Sequence, residues 1–514
     1  MRKITANIQN EKGPLNRFFS ECIGAGRAAE VMRYVPMKQL EKIQKECPFR
    51  YIRFHGIFHE EMNVVYRDEH GNLQFCFQYT DMLFDSLLAL GIRPLVELGL
   101  MPDIISEKKE YVFWWKMNIS MPKIMKEWEM LIEAFLRHIT YRYGEEEIKK
   151  WYFEVWNEPN HKSFFSEYQN INAYFSLYES TARTVKRVCP DYKVGGPATA
   201  GMIWISEMIG HCRENNIPLD FITSHSYGIK GDFDPDGNAI VYLPNIDKVS
   251  NEIRHYGKIC REAGLPLFIT EWSSSFSHTD PIHDSYFNAP YILRAIKRSE
   301  GFADIFSYWT YTDIFEENGP PVKPFHGGFG LINTQSLPKP SYYIYTFLHR
   351  LGNTELVTED EDCYICKSDD AVQILLWNIK KPETKEGNRK YFARSLPARE
   401  MEPAEISLSG LTPHTQYTVT LQTVGYRSGD VYNAYLDGNF TELPTREETE
   451  MLKEASKPKE TVFSVCSDGK GAITFSIAQT ENSVDFLTVE KNALPTRADI
   501  YPDKFKENYP RSKG

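Results

Sequence analysis

A chain of 514 residues, 42% hydrophobic and 25% charged, has the make-up of a globular protein of two to four domains, which excludes a disordered or fibrous one. Its net charge of −11 leaves no basic excess to displace counterions from phosphate, so neither nucleic acid nor an anionic membrane surface is an expected partner. No run of roughly 18 apolar residues occurs and the start lacks a signal-peptide core. A soluble, cytoplasmic protein is therefore expected, or a periplasmic one if a leader was removed. Nine scattered cysteines, an odd count, agree with a reducing compartment. The single CxxC, Cys363 to Cys366, has no second pair to complete a zinc site, and its surroundings alternate like a strand. Aromatics stand out at 14%, which suits either a ring-rich core or a cleft that stacks on sugars.

In chain order, residues 1–14 hold a strand-like stretch, ITANIQ, assigned to a later β-rich unit rather than to the one that follows directly. From 15 to 345, eight apolar runs alternate with longer amphipathic stretches. The runs are 22–26, 51–56, 93–99, 152–159, 193–198, 220–228, 266–274 and 306–313. Between them, 79–91 and 171–188 read as helices, the second with apolar residues three and four apart and a stop before Pro190. Runs apolar at nearly every position suit parallel strands buried on both faces. Eight of them in βα alternation predict an α/β fold, a (β/α)8 TIM barrel. No Gly-rich dinucleotide loop follows the first strand, and no cofactor is expected. After a helix-like 341–352 the pattern changes to short alternating strands, which predicts an accessory C-terminal β-sandwich over 346–514. Within it, 379–400 and 446–459 are charged and read as surface loops or a short helix.

Polar residues gather at the C-terminal ends of the barrel runs: His55, Asn157, Glu158, His225, Tyr227 and Glu271. Barrel enzymes assemble their sites at these ends. Such side chains are poor core material, because buried polar groups are costly unless paired. In WYFEVWNEPN (151–160) an unbroken strand would point Phe153, Val155 and Asn157 one way and Glu154, Trp156 and Glu158 the other, with Pro159 ending it. Glu271 ends a second apolar run, ITEW. Two carboxylates facing each other across a barrel mouth are what glycoside hydrolysis needs: one protonates the leaving oxygen, the other attacks the anomeric carbon. The 13 histidines show no HExxH or similar spacing, so no metal site is expected.

At this point the pattern resembles glycoside hydrolase family 39, whose WxFExWNEP[DN] signature 151–160 matches at every fixed position. The resemblance continues in RFHG (53–56), FWWKMNISMPK (113–123), DFITSHSYG (220–228), SFSHTDPIHDSYFNAPYI (275–292) and FSYWTYTDIFEENGPPVKPFHGGFGLI (306–332). It implies a retaining β-xylosidase that removes terminal xylose, with Glu158 as acid/base and Glu271 as nucleophile. It further implies that Asn157 binds the sugar 2-hydroxyl and that His225 and Tyr227 flank the nucleophile. His55 would bind hydroxyls at the inner end of the pocket, Trp309 form a stacking floor, and Phe113 and Trp114 stand as walls. Glu317, with Glu316, would bind distal hydroxyls. The family's xylosidases follow the nucleophile with Phe-Asn-Thr, where this chain has Trp272-Ser273-Ser274, so the exact sugar stays open. α-L-Iduronidases of the family read a uronate carboxylate with basic residues. Only Arg53 and Lys230 lie near the strand ends here, which favours a neutral pentose. The expected partner is an oligosaccharide, and a homo-oligomer stays open. The alternatives are an α-L-arabinopyranosidase, an iduronidase, an endo-acting relative, or a non-catalytic carbohydrate-binding barrel.

Overall fold

The computed structural model describes residues 1–233 and 239–492, so 493–514 of the predicted C-terminal unit lie outside the described residues. Eight strands close a barrel: β1 (Cys22–Arg27), β2 (Tyr51–His55), β3 (Arg93–Leu98), β4 (Tyr152–Val155), β5 (Lys193–Ala200), β6 (Phe221–Tyr227), β7 (Leu267–Ser273) and β8 (Ile305–Tyr308). Each pairs in parallel with its sequence neighbours, and β8 returns to β1. Every residue of β1, β2 and β7 is buried, as the continuous apolar runs require of strands covered on both faces.

The barrel interior is layered. Near the N-terminal ends of the strands, Cys22, Tyr51, Leu95, Phe221, Phe268 and Ile305 pack with Tyr152 into a closed apolar floor. Phe221 stacks on Phe268 at 4.8 Å and Tyr152 meets Phe268 edge-on at 4.9 Å. Two residues further along β2, β3 and β4 the inward positions turn charged: Arg53, Glu97 and Glu154. The floor therefore seals the barrel below a polar layer that opens only toward the C-terminal face.

The outer helices follow their periodicity. Ile171–Val188 buries Tyr174, Tyr178, Thr181 and Val185 at three- and four-residue steps, and the Asn170 side chain caps its start by accepting from the Asn172 N–H. Two runs stop earlier than the sequence suggests. β4 ends at Val155 rather than 159, because Trp156 and Glu158 take left-handed φ values of 70° and 42°. β8 ends at Tyr308 rather than 313. Among the described residues no helix is long and apolar enough to cross a membrane.

Outside the barrel, the described residues form two larger sheets and three two-stranded hairpins. Arg2–Asn7 pairs in parallel with Glu400–Ser409, which also pairs with Ile473–Thr480. The other sheet has seven strands, with Cys363–Lys367, Ala371–Trp377, Val484–Lys491 and Gln416–Val424 at its centre. Ile4, Ile406 and Ile477 from the first meet Ile365, Ile374, Val419 and Leu487 from the second in one apolar core. Cys363 and Cys366 are buried, unpaired strand residues. The edge strands Glu11–Pro14 and Lys459–Cys466, and Thr354–Leu356 next to the first of them, have no counterpart in the sequence reading, being short or largely exposed. The charged 446–459 segment contains the helix Arg446–Ala455, started by a Thr445–Glu448 capping box.

Gly195 shows how tightly β5 fits against β6. A Cβ there would lie 2.3 Å from the Phe221 carbonyl oxygen and 2.5 Å from its ring. Gly195→Ala must push backbone apart at the barrel floor, so it is expected to destabilise by about 1–3 kcal/mol. Urea unfolding curves of the two proteins would check this, and coincident midpoints would contradict it.

Candidate active site

The polar layer is organised by Arg53, whose side chain is fully buried on β2. Its Nε donates to Glu154 on β4 at 2.5 Å and one terminal nitrogen donates to Glu271 on β7 at 2.6 Å. The other donates to Asn157 Oδ1 at 2.8 Å and lies 2.9 Å from Glu97 on β3. Burial works against the guanidinium charge, but Glu154, Glu97 and Glu271 together outweigh it and hold Arg53 above its usual pKa. Thr270 on β7 adds a 2.8 Å hydrogen bond to Glu154. Four strands are thus joined through one planar fork.

His55, two residues beyond Arg53, places Nδ1 2.7 Å from Glu97 and Nε2 3.8 Å from Glu271. Burial would lower its pKa, yet the Glu97 carboxylate prevails and raises it. Glu97 in turn is lowered, burial being overcome by His55 and Arg53. Arg53 and His55 thus both stand on the Glu271 side.

Glu271 receives the Tyr227 hydroxyl at 2.6 Å on the oxygen that Arg53 leaves free. Burial pushes its pKa up, and Arg53, His55 and Tyr227 oppose that push. Glu158 is placed differently. Its left-handed backbone donates to the Ala198 carbonyl of β5 at 2.9 Å, which turns its side chain toward the barrel axis. His225 Nδ1 lies 2.8 Å from Glu158 and 3.6 Å from Glu271. Burial, then Arg53 and His55, hold His225 well below its usual pKa, so this ring is neutral. Burial and the adjacent Glu271 raise Glu158 well above the ordinary carboxylate range. Both carboxyls are thus raised, Glu158 well above the usual range, and only Glu271 has a guanidinium and a phenol hydroxyl on its oxygens.

An oxygen of Glu158 and one of Glu271 lie within 4.8 Å of each other, with a His225 nitrogen inside the same radius. This trio has the composition of a cation site. However, Arg53 and Tyr227 already occupy both Glu271 oxygens, and a guanidinium 2.6 Å away repels a second cation.

Asn157 keeps its Nδ2 buried and without a partner beside these carboxylates, a donor free for a hydroxyl. The strand alternation expected for 152–159 does not hold past Val155. The two left-handed residues bring Asn157 and Glu158 to the same site, while Trp156 turns into the core against Trp128 and Phe165. Trp309 lies over Arg53 at 5.6 Å and 4.9 Å from His55. It can do so because residue 24 on β1 is glycine: a Cβ there would sit 2.3 Å from the indole.

Phe113 reaches the His55 region through Phe164, at 5.7 Å and 6.3 Å between rings. Trp114 is half exposed at the rim. Glu317 lies 3.2 Å from His278 and its charge is felt at Glu158 and Tyr227. Glu316 differs from the role expected for it: both its oxygens are engaged by Arg33, at 2.5 and 3.1 Å, and Arg27 adds 3.3 Å. Its carboxylate is committed to holding loops rather than free for a distal hydroxyl. Arg53, weighed in the sequence as a uronate reader, has its donors engaged by protein acceptors. Lys230 is exposed on the hairpin strand Lys230–Phe233. Glu97, Glu154 and Thr270 were not foreseen, although each interrupts an apolar strand with an inward polar residue.

The family model of glycosyl hydrolases family 39 matches residues 2–472. The chain belongs to this family. It is 34% identical over 499 residues to a beta-xylosidase of Caldicellulosiruptor saccharolyticus, covering 95% of this chain and 98% of that one. It is also 34% identical over 504 residues to a beta-xylosidase of Geobacillus stearothermophilus, covering 95% and 96%. A crystal structure of a monomeric beta-xylosidase from Caulobacter crescentus CB15 superposes with a TM-score of 0.91 at 37% identity, covering 96% of this chain and all of the other. In this family 39 hydrolase the electrostatic split between the carboxyls is directly measurable. Replacing Glu271 by Gln removes the like charge that helps to raise Glu158. The 13C carboxyl resonance of Glu158 should then titrate at lower pH than in the parent. An unchanged titration would show that burial alone sets it.

Proposed function

We propose that the enzyme releases terminal β-D-xylose from xylo-oligosaccharides by double displacement. The observation that carries this reading is the short spacing of the two carboxyls, with Arg53 and Tyr227 hydrogen-bonded to Glu271 and not to Glu158. Retaining enzymes hold these groups about 5–5.5 Å apart and inverting ones about 6.5–9.5 Å. Oxygens within 4.8 Å of each other fit the shorter class. The two named beta-xylosidase relatives, aligned over almost the whole chain, support the substrate.

In the first step Glu271 attacks the anomeric carbon while Glu158 passes its proton to the leaving oxygen. Arg53 and Tyr227 hold Glu271 ionised and aimed until the covalent bond forms. The emptied Glu158 carboxylate then takes a proton from water, which attacks the same carbon from the face the leaving group vacated. Asn157 Nδ2 donates to the 2-hydroxyl as oxocarbenium character develops. His55 and Trp309 would close the inner end of the pocket, which fits exo action. A neutral sugar fits because Arg53 is committed to Glu271, Glu154, Glu97 and Asn157. We read residues 15–345 as the catalytic barrel and 1–14 with 346–492 as an accessory β-sandwich. The nine unpaired cysteines fit a cytoplasmic setting.

Proton NMR of the first product should show the β-anomer before mutarotation, and an initial α-anomer would overturn the double displacement. A panel of nitrophenyl glycosides should give the highest kcat/KM with the β-D-xyloside. A higher value with the α-L-arabinopyranoside would reassign the sugar. From a long xylo-oligosaccharide, single xylose units should appear first; early mid-chain fragments would contradict exo action. In Glu158→Ala, dinitrophenyl xyloside should still glycosylate the enzyme, and azide should restore turnover as the β-xylosyl azide. Glu271→Ala with azide should give the α-azide instead, and exchanged products would reverse the two roles.

A further inference from the structure

Arg27 ends β1 on the catalytic face, and its side chain is 2% exposed. Its hydrogen-bond partners belong to several different loops. Nε donates to Glu61, in the loop after β2, at 2.6 Å, and a terminal nitrogen reaches Glu316, after β8, at 3.3 Å. A further pair joins it to Glu30 just beyond β1. The guanidinium also lies 5.8 Å from the Trp114 ring and 5.2 Å from the Trp115 ring, both after β3.

Glu316 is thereby fixed from three directions. Arg27 and Arg33 hold its carboxylate, while its own N–H donates to Glu30 at 3.1 Å. The next residue, Glu317, gives its carbonyl to the Trp114 N–H at 3.1 Å. The backbone on both sides of the Glu317 side chain is therefore tied, directly or through Glu316, to the Arg27 cluster. That side chain lies 3.2 Å from His278 Nδ1, and its charge, after that of Glu271, acts on Glu158 and Tyr227.

We propose that Arg27 is a positioning residue for the outer half of the sugar pocket: by clamping Glu316 to the end of β1 it sets where Glu317 and the Trp114 wall stand. This rests on the reading of Glu317 as a hydroxyl-binding residue. A lysine at 27 keeps a charge against Glu30, Glu61 and Glu316 but has a single nitrogen, so it cannot bridge all three at the spacing of the fork. The chain should fold while the loop after β8 loses its register.

The test is xylobiose hydrolysis by the full chain with Arg27→Lys, Glu317→Gln and the double variant. Arg27→Lys should raise KM about tenfold, the order expected when one hydrogen bond to a charged group is misplaced, with a much smaller change in kcat. In the Glu317→Gln background the lysine should raise KM much less than in the parent, by only what the displaced Trp114 wall contributes, because the two changes share the Glu317 carboxylate. Additive effects, an unchanged KM, or a fall in kcat equal to the rise in KM would overturn the proposal. If Arg27→Lys does not fold, Glu61→Gln loosens the same guanidinium from a side chain that is 37% exposed, and it must raise KM with the same dependence on Glu317. An unchanged KM in Glu317→Gln itself would remove the Glu317 role and the Arg27 proposal with it. The xyloside reading, tested through the product anomer, would stand.

Discussion

A fully buried guanidinium with three carboxylates around it is the constraint on which the rest of this molecule depends. Taking one such charge out of water costs several kcal/mol, and only near-complete pairing repays it. Arg53 achieves that pairing with groups from β3, β4 and β7, so the barrel must close in this register for the charge to be tolerated. Removing Arg53 itself would leave buried carboxylates uncompensated in the interior, a loss of about 3–5 kcal/mol. Glu271, the proposed nucleophile, is thus also a structural counter-ion, which makes the site part of the fold.

The same constraint separates the two proposed catalytic carboxyls. Glu271 is inside the Arg53 hydrogen-bonding set and Glu158 is outside it. Chemically identical side chains are given different surroundings by which one the guanidinium touches, and this supports the proposed division into anion and acid. His225 sharpens the division, because burial beside Arg53 and His55 keeps it neutral and adds no positive charge near Glu158. Glu158 gains its position from backbone strain: φ values of 70° and 42° at Trp156 and Glu158 are uncommon for such residues. The Trp156 indole, donating to the Phe164 carbonyl at 2.8 Å, and the Glu158–Ala198 backbone bond hold that turn in place.

Much of this was legible in the amino-acid order. The eight apolar runs were readable because parallel strands covered on both faces show no alternation, and the polar residues ending them marked the catalytic face. Glu158 and Glu271 stood out because carboxylates are poor endings for apolar strands. What escaped was set by three-dimensional pairing. Glu97 and Glu154 look like isolated faults in apolar strands until Arg53 is seen between them. Alternation misassigned Trp156 against Asn157, since positive φ at a non-glycine residue leaves no local signal. Glu316 and Glu317, adjacent and alike in sequence, part company only because Arg27 and Arg33 reach one of them. Lys459–Cys466 was hidden by its charged start and exposed face.

The most direct test of Glu271 as the nucleophile, held ionised by Arg53, is peptide mapping by mass spectrometry after inactivation with a 2-fluoro-xylosyl donor carrying a good leaving group. Fluorine slows both steps and the leaving group restores only the first, so the covalent intermediate accumulates. A single xylosyl adduct should map to Glu271. An adduct on Glu158 or Glu154, or turnover without any covalent species, would contradict the assignment.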